Sequence, residues 1–212
     1  MLRKTIVFAM IGVFYLFLLR TAGTFWQQMF RENLLLVQIT HALAFLAILT
    51  LVFFFASFLK DYLRKEETKF KSATVFVLIG YILMTVLYLK RLLFVFNVRG
   101  ILSSIPYFIE PLVPWIGLLS LLVFFIAFYK NSLTESRKSV RKAVIFSIVG
   151  TAIALVIRSF ILLRYFYFQD IRWLANLPEK FRIIVIPLAF FSFITIFYFF
   201  FHFYKHAHKH TE

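Results

Sequence analysis

Two short sequence motifs recur three times along this chain at nearly constant spacing. The first, Phe-x3-Gly, ends at three glycines that stand 68 and 70 residues apart: Gly12, Gly80 and Gly150. The second, Phe-x-Lys, ends at three lysines that stand 70 and 75 residues apart: Lys60, Lys130 and Lys205. Each glycine is followed by its lysine after 48, 50 or 55 residues, enough for two helices and a short connection. A unit reiterated at a fixed period is typical of a repeat architecture, so we predict three tandem helical hairpins.

The composition requires a bilayer as the solvent for most of the chain. Of its 212 residues, 62% are hydrophobic and 31 are phenylalanine. A soluble domain of this size cannot bury so much apolar surface, because the buried fraction is limited by the ratio of surface to volume. The chain has no cysteine, which excludes disulfides, a thiol nucleophile and thiolate metal ligands.

Six runs without charged residues mark the predicted membrane-spanning helices. They cover residues 5–19, 34–59, 72–89, 111–129, 143–157 and 183–204. About 20 helical residues cross the hydrocarbon core, so the odd-numbered runs are short. Either their flanking basic residues snorkel to the headgroups, or these helices tilt little or lie in a locally thinned bilayer. Apolar sequence resumes past those basic residues, and we expect helical extensions or interfacial segments there. The predicted fold is an all-α, polytopic membrane protein with one membrane domain, 1–212, divided into repeats 1–66, 67–136 and 137–212.

Six spans place both termini on one side of the membrane. That side, with the linkers 60–71 and 130–142, carries fourteen Lys and Arg against five acids, and the other side carries ten against four. The positive-inside rule therefore predicts cytoplasmic termini and linkers. We expect the apolar start to be a retained first helix, because Arg20 occupies the region where a leader would be cleaved.

Basic residues on the opposite side form a candidate anion site. Arg20 and Arg158 each stand eight residues after a repeat glycine, and Arg91 stands eleven residues after another. If the hairpins pack around a common axis, these guanidinium groups converge, with Arg164 as a fourth candidate, and bind phosphate or carboxylate. The alternative is that they snorkel to lipid phosphates. Glu110 stands just before the fourth helix, where it complements the helix N-terminus and can pair with an arginine.

The predicted spans contain few polar groups. None of the six runs contains Asp or Glu, which disfavours a proton relay or an intramembrane protease. Gln38 and His41 share one helix face, and we expect a hydrogen bond between helices or a ligand contact there. The repeat glycines, Gly12, Gly80 and Gly150, let helices approach closely, and we expect the odd-numbered helices to meet one another around the axis.

The sequence lacks the usual signs of an enzyme or a cofactor site. It has no Ser/His/Asp arrangement, no Gly-rich phosphate loop and no His-Glu-x-x-His. We therefore expect a non-enzymatic protein without a resident metal or other cofactor. The tail carries His206, His208 and His210, which suit either a divalent metal or, more simply, a basic surface segment.

Two functions remain open at this point. The first is a bundle that binds or passes an anionic or amphiphilic small molecule or a lipid. The second is a structural or sensory subunit of a larger membrane complex. The expected partners are the lipid bilayer with its anionic headgroups, an anionic small molecule and a membrane protein. Nucleic acid is not expected, because the net charge of +15 is divided between the two membrane faces.

Overall fold

A computed structural model describes residues 2–25, 33–61, 68–98, 106–131, 138–167 and 177–208. These residues are helical, apart from short segments at helix ends. The six long helices are α1 (Leu2–Phe25), α2 (Leu34–Asp61), α3 (Thr68–Val95), α4 (Leu112–Asn131), α5 (Lys138–Tyr167) and α6 (Leu177–His208). A 3-10 turn at Tyr107–Ile109 precedes α4.

Each helix is long and apolar enough to span a membrane, which indicates a multi-pass membrane protein. In lipid every backbone polar group needs an internal partner, and a helix supplies these partners within itself. The odd-numbered helices continue past the basic residues that bound their charge-free runs: α1 extends beyond Arg20, α3 beyond Arg91 and α5 beyond Arg158. The predicted helical extensions are therefore confirmed.

The start of α2 and the end of α3 have recognisable local signals. Asn33 caps α2, because its side-chain oxygen accepts a hydrogen bond of 3.1 Å from the Leu36 amide. After α3 the chain turns at Asn97, which has a φ of 58°, and the Val98 amide donates back to the Leu93 carbonyl at 2.9 Å. Asparagine tolerates this left-handed conformation better than most residues, so it ends the helix at this point.

The six helices form a closed ring in chain order. Helices that follow one another in the chain pack together, and α6 packs against α1. No two odd-numbered helices share an extensive contact within the described ranges, so the expected inner ring of odd-numbered helices is wrong. The physical reason is that small residues of the even-numbered helices receive the glycines, so each odd-numbered helix packs between two even-numbered ones.

The first turn of α1 and the last turns of α6 lie at the same end of the ring. The Tyr204 hydroxyl of α6 accepts hydrogen bonds from Arg3 of α1 at 3.0 and 3.2 Å. Arg141 of α5 donates in the same way to Tyr129 of α4, at 2.8 and 3.3 Å. We call this the linker end, because residues 62–67 and 132–137 connect helices there. The opposite end, which contains Val95 and Leu112, is the hairpin end.

Ten buried phenylalanines fill the ring near the linker end. This phenylalanine cluster consists of Phe54, Phe55, Phe58, Phe70, Phe124, Phe125, Phe128, Phe199, Phe200 and Phe203. Three edge-to-face pairs join the even-numbered helices in a cycle, with ring centroids 4.9 to 5.1 Å apart: Phe55–Phe124, Phe125–Phe199 and Phe200–Phe54. Edge-to-face pairs are favoured by the ring quadrupoles, so this cycle fixes the even-numbered helices to one another.

The outer surface of the ring is apolar. The phenylalanine of each Phe-x3-Gly motif is exposed: Phe8, Phe76 and Phe146. In a bilayer such side chains face lipid tails, which are as apolar as they are. The same motif thus places its phenylalanine outside the ring and its glycine at a helix contact.

Candidate functional site

A cavity of about 490 Å³ lies inside the ring, between the phenylalanine cluster and the hairpin end. All six helices contribute to its wall. Most of the lining is apolar, and each even-numbered helix contributes three apolar residues at helical spacing: Ala44, Ile48 and Leu51 from α2, Pro114, Leu118 and Leu121 from α4, and Ala189, Phe193 and Ile196 from α6. A mostly apolar cavity with a few polar groups is the usual form of a small-molecule site.

Each repeat glycine packs against the even-numbered helix of its own hairpin. A methyl group added at Gly150 would overlap the Thr195 hydroxyl and lie 3.2 Å from the Ser192 Cα. At Gly80 it would overlap the Ser120 hydroxyl and lie 3.4 Å from the Gly117 Cα. At Gly12 it would overlap the Thr50 hydroxyl and lie 2.7 Å from the Ala47 carbonyl oxygen. These contacts hold the two helices of each hairpin close together beside the cavity.

Two of the four predicted anion-binding arginines line this cavity. Arg91 reaches it from α3 and Arg158 reaches it from α5. No Asp or Glu belongs to the lining among the residues that the structure describes. The side chains of the other two candidates, Arg20 and Arg164, lie outside the described residues, although their backbones are helical. Arg20 follows Leu19, which does line the cavity.

Arg91 is held in place by an ion cluster at the hairpin end. The Glu110 carboxylate accepts a hydrogen bond of 3.0 Å from Lys90 and one of 3.4 Å from Arg91. Burial acts to raise the pKa of the Glu110 carboxyl, but the hydrogen bond from Lys90 and the charges of Arg91 and Lys90 outweigh it. The pKa therefore lies below its ordinary value. One carboxylate between two cations leaves a net charge of +1 on this cluster.

The neighbourhood of Arg158 is fixed by the next residue. The Ser159 hydroxyl accepts a hydrogen bond of 2.8 Å from the Trp115 indole and donates one of 2.9 Å to the Leu155 carbonyl. This bond joins α4 to α5 at the level of the cavity. Ser159 and Trp115 thus restrict where the backbone of Arg158 can lie. Tryptophan is common near the ends of membrane-spanning helices, but its serine partner on another helix cannot be identified from the sequence.

The two residues of the predicted polar pair on α2, Gln38 and His41, differ in their relation to the cavity. His41 lines the cavity, and its Nδ1 donates to the Val37 carbonyl at 2.8 Å within the same helix. Thr40 also lines the cavity and donates to that carbonyl at 2.8 Å. Gln38 is half-buried and is not among the described lining residues. The hydrogen bond seen at His41 is therefore local to α2.

Sequence reasoning missed several residues of the cavity. Tyr81 and Tyr88 of α3 and Met84 between them line it, and they follow Gly80 at helical spacing. The signal was present, because positions one, four and eight residues after a packed glycine lie close to one helix face. Within the described ranges, no group of three or more His, Asp or Glu is close enough to hold a metal ion.

This arrangement can bind a molecule that is apolar along its body and negatively charged at one end. Guanidinium groups pair with phosphate or carboxylate, and the Leu, Ile and Phe walls accommodate hydrocarbon. No protein-family model, curated protein or solved structure matches the chain.

Proposed function

We propose that this chain is a non-enzymatic membrane bundle that binds or passes an anionic or amphiphilic small molecule or a lipid. The observation that carries this proposal is the presence of Arg91 and Arg158 on the wall of one cavity that is otherwise mostly apolar. Two cations at an apolar cavity favour a ligand with an anionic head. The lack of Asp and Glu in all six spans disfavours coupling to protons.

We further propose that the ring is built from three tandem hairpin repeats. The contacts of the repeat glycines support this, because each glycine meets the residue eight positions before the phenylalanine of its own Phe-x-Lys motif: Thr50, Ser120 and Thr195. The cycle of phenylalanine pairs supports it as well. In the sequence, each of the three proposed hairpins carries an arginine eight or eleven residues after its glycine, at Arg20, Arg91 and Arg158.

The proposed topology places the termini and both linkers in the cytoplasm, as the excess of Lys and Arg at the linker end favours. Because the chain has no cysteine, single introduced cysteines report on sidedness without background. In intact cells, a membrane-impermeant maleimide should label Val98→Cys at the hairpin end. It should label Lys130→Cys at the linker end only after lysis, and the reverse pattern would invert the topology.

Binding of dodecyl phosphate to the purified protein in a neutral detergent tests the function. We expect Arg91→Gln and Arg158→Gln each to weaken binding about ten- to hundredfold, because a hydrogen bond to a charged group contributes about 1.5–3 kcal/mol. Arg141→Gln is the matched control, since Arg141 is an exposed arginine at the linker end. Binding that is absent, or unchanged in both cavity variants, would contradict the proposal.

The alternative function is that of a structural or sensory subunit. It is favoured by the outward-facing phenylalanines of the three motifs, which suit contact with a neighbouring membrane protein as well as with lipid. This reading predicts no specific binding of dodecyl phosphate. It predicts instead that Phe76→Ala and Phe146→Ala, on the outside of the ring, release a co-purifying partner while the bundle stays folded.

A further inference from the structure

The cavity is closed at the linker end by the phenylalanine cluster. On the even-numbered helices its lining reaches Leu51, Leu121 and Ile196. Three residues farther toward the linker end stand Phe54, Phe124 and Phe199, which are fully buried and belong to the cluster. Phe124 stacks on Phe70 of α3 at 5.9 Å, so an odd-numbered helix takes part in the closure. A ligand in the cavity therefore meets an aromatic floor.

The polar lining is concentrated toward the hairpin end. Arg91, Arg158 and Tyr88 lie in the parts of α3 and α5 that approach this end, and Thr40 and His41 lie in the first turns of α2. The residues next to the floor are apolar except for the hydroxyls of Tyr81 and Ser192. The cavity thus has one cationic end and one hydrocarbon-like end.

The depth of the cavity matches one leaflet of a bilayer. Tyr81 and Arg91 both line it and stand ten residues apart on α3, which corresponds to about 15 Å at 1.5 Å per residue. The hydrocarbon core of a bilayer is about 30 Å thick, so this depth is about half of it. The volume of about 490 Å³ lies in the lower part of the range for cavities that hold one drug-sized ligand. One hydrocarbon chain fits this space better than two.

We propose that the ligand is a single-chain amphiphile whose anionic head lies at Arg91 and Arg158 and whose chain points to the phenylalanine floor. The ligand is bound in a blind cavity and does not pass through to the linker end. This inference rests on the proposed function and narrows it from binding or passing to binding. It also fixes the chemical class, a phosphate or carboxylate on one alkyl chain, and the orientation.

Photo-crosslinking tests the orientation. Two dodecyl phosphate analogues carry a diazirine, one at the last carbon of the chain and the other next to the phosphate. They are added to the protein in phosphatidylcholine nanodiscs, and labelled peptides are mapped by mass spectrometry. We expect the chain-end probe to label the segments of Leu51, Leu121 and Ile196. The head-side probe should label those of Thr40 and Tyr88.

The competitors separate the outcomes. Excess dodecyl phosphate should remove the labels, whereas inorganic phosphate and dodecyl maltoside should not. Competed labelling in the cavity with the reverse pattern would overturn the orientation and leave the proposed function standing. Labels confined to lipid-facing positions such as Phe53, unaffected by competition, would overturn the proposed function and this inference together.

A chain-length series tests the floor. Leu121→Trp extends a side chain into the closed end, so it should weaken binding of dodecyl phosphate about tenfold and leave octyl phosphate unaffected. Ile196→Phe is a smaller change of the same kind, and Val123→Trp on the lipid-facing side of α4 is the matched control. Equal losses of affinity for dodecyl phosphate and octyl phosphate would overturn the blind cavity. Faster entry of the dodecyl phosphate probe into vesicles that contain the protein than into empty vesicles would overturn it as well.

Discussion

Phe54 of α2 and Phe200 of α6 meet edge to face, with ring centroids 4.9 Å apart. The contact joins the first hairpin to the last, and Phe55–Phe124 and Phe125–Phe199 complete the cycle. Because lipid tails are as apolar as a phenylalanine side chain, burial of these rings is not driven by exclusion of water. The rings stabilise the bundle because they are rigid and pack closely in one geometry.

Replacing a phenylalanine of this cycle should therefore cost stability through the cavity that remains. We expect Phe54→Ala to lower the free energy of unfolding by about 2 kcal/mol, the packing part of a core truncation. Phe53→Ala is the matched control, because Phe53 is 58% exposed and Phe54 is 0% exposed at the adjacent position. Unfolding in mixed detergent measures both variants, and equal losses would contradict an aromatic core.

The second prediction concerns the close contact between Gly150 of α5 and Thr195 of α6. A methyl group at Gly150 would overlap the Thr195 hydroxyl and lie 3.0 Å from the Thr195 Cβ. We expect Gly150→Ala to destabilise the protein by about 1–3 kcal/mol, the usual cost of overpacking. Thr195→Ala in the same chain removes the hydroxyl and should restore part of the loss. Val149→Ala, on the lipid-facing side of α5, should change little, and a Gly150→Ala variant as stable as the parent would contradict the contact.

The sequence predicts the helices well because long charge-free apolar runs are a strong signal of membrane-spanning helices. It predicts the arrangement of the helices poorly. Small residues at Gly12, Gly80 and Gly150 indicate close approach, but they do not say which helix approaches. The deciding residues are Ala47, Gly117 and Ser192 on the even-numbered helices, whose small size admits the glycines.

The candidate site was predictable in part for a related physical reason. Arg91 and Arg158 stand out in an apolar sequence, so their position near one end of the spans was visible. Whether the two arginines share a cavity depends on how α3 and α5 are each rotated about their own axes. The spacing between an arginine and the preceding motif glycine constrains that rotation only loosely. The partners that hold them in place, Lys90 with Glu110 and Trp115 with Ser159, need tertiary structure to be found.

The ion cluster beside Arg91 gives a third prediction. The Lys90 side chain is 8% exposed and Glu110 is its partner at 3.0 Å. Glu110→Gln keeps the shape but removes the charge, so we expect a loss of about 1–3 kcal/mol because a nearly buried cation loses its counter-ion. A double-mutant cycle with Lys90→Met isolates the coupling energy. Lys142→Gln at the linker end is the control, and a cycle without coupling would contradict the pairing.

The same pair should make stability depend on pH. The pKa of Glu110 is lowered in the folded protein, so its stabilising contribution is complete above the ordinary carboxyl value of about 4.3. It is lost as the pH falls from there through the lower folded value. We expect the difference in thermal midpoint between the parent and Glu110→Gln to stay constant from about pH 8 to about pH 5 and to shrink below that. A difference that widens on acidification would contradict the direction of the pKa shift.

The order of helices in the ring can be tested by crosslinking. The chain has no native cysteine, so introduced pairs react without background. Phe17 of α1 and Phe190 of α6 have ring centroids 4.6 Å apart, and we expect Phe17→Cys with Phe190→Cys to be joined by a short bifunctional maleimide. Phe17→Cys with Met84→Cys should react little, because α1 and α3 have no extensive contact within the described residues. Denaturing gels after proteolysis between the sites measure both yields. A higher yield for the second pair would indicate that the odd-numbered helices meet in an inner ring. That packing would leave no space for the central cavity.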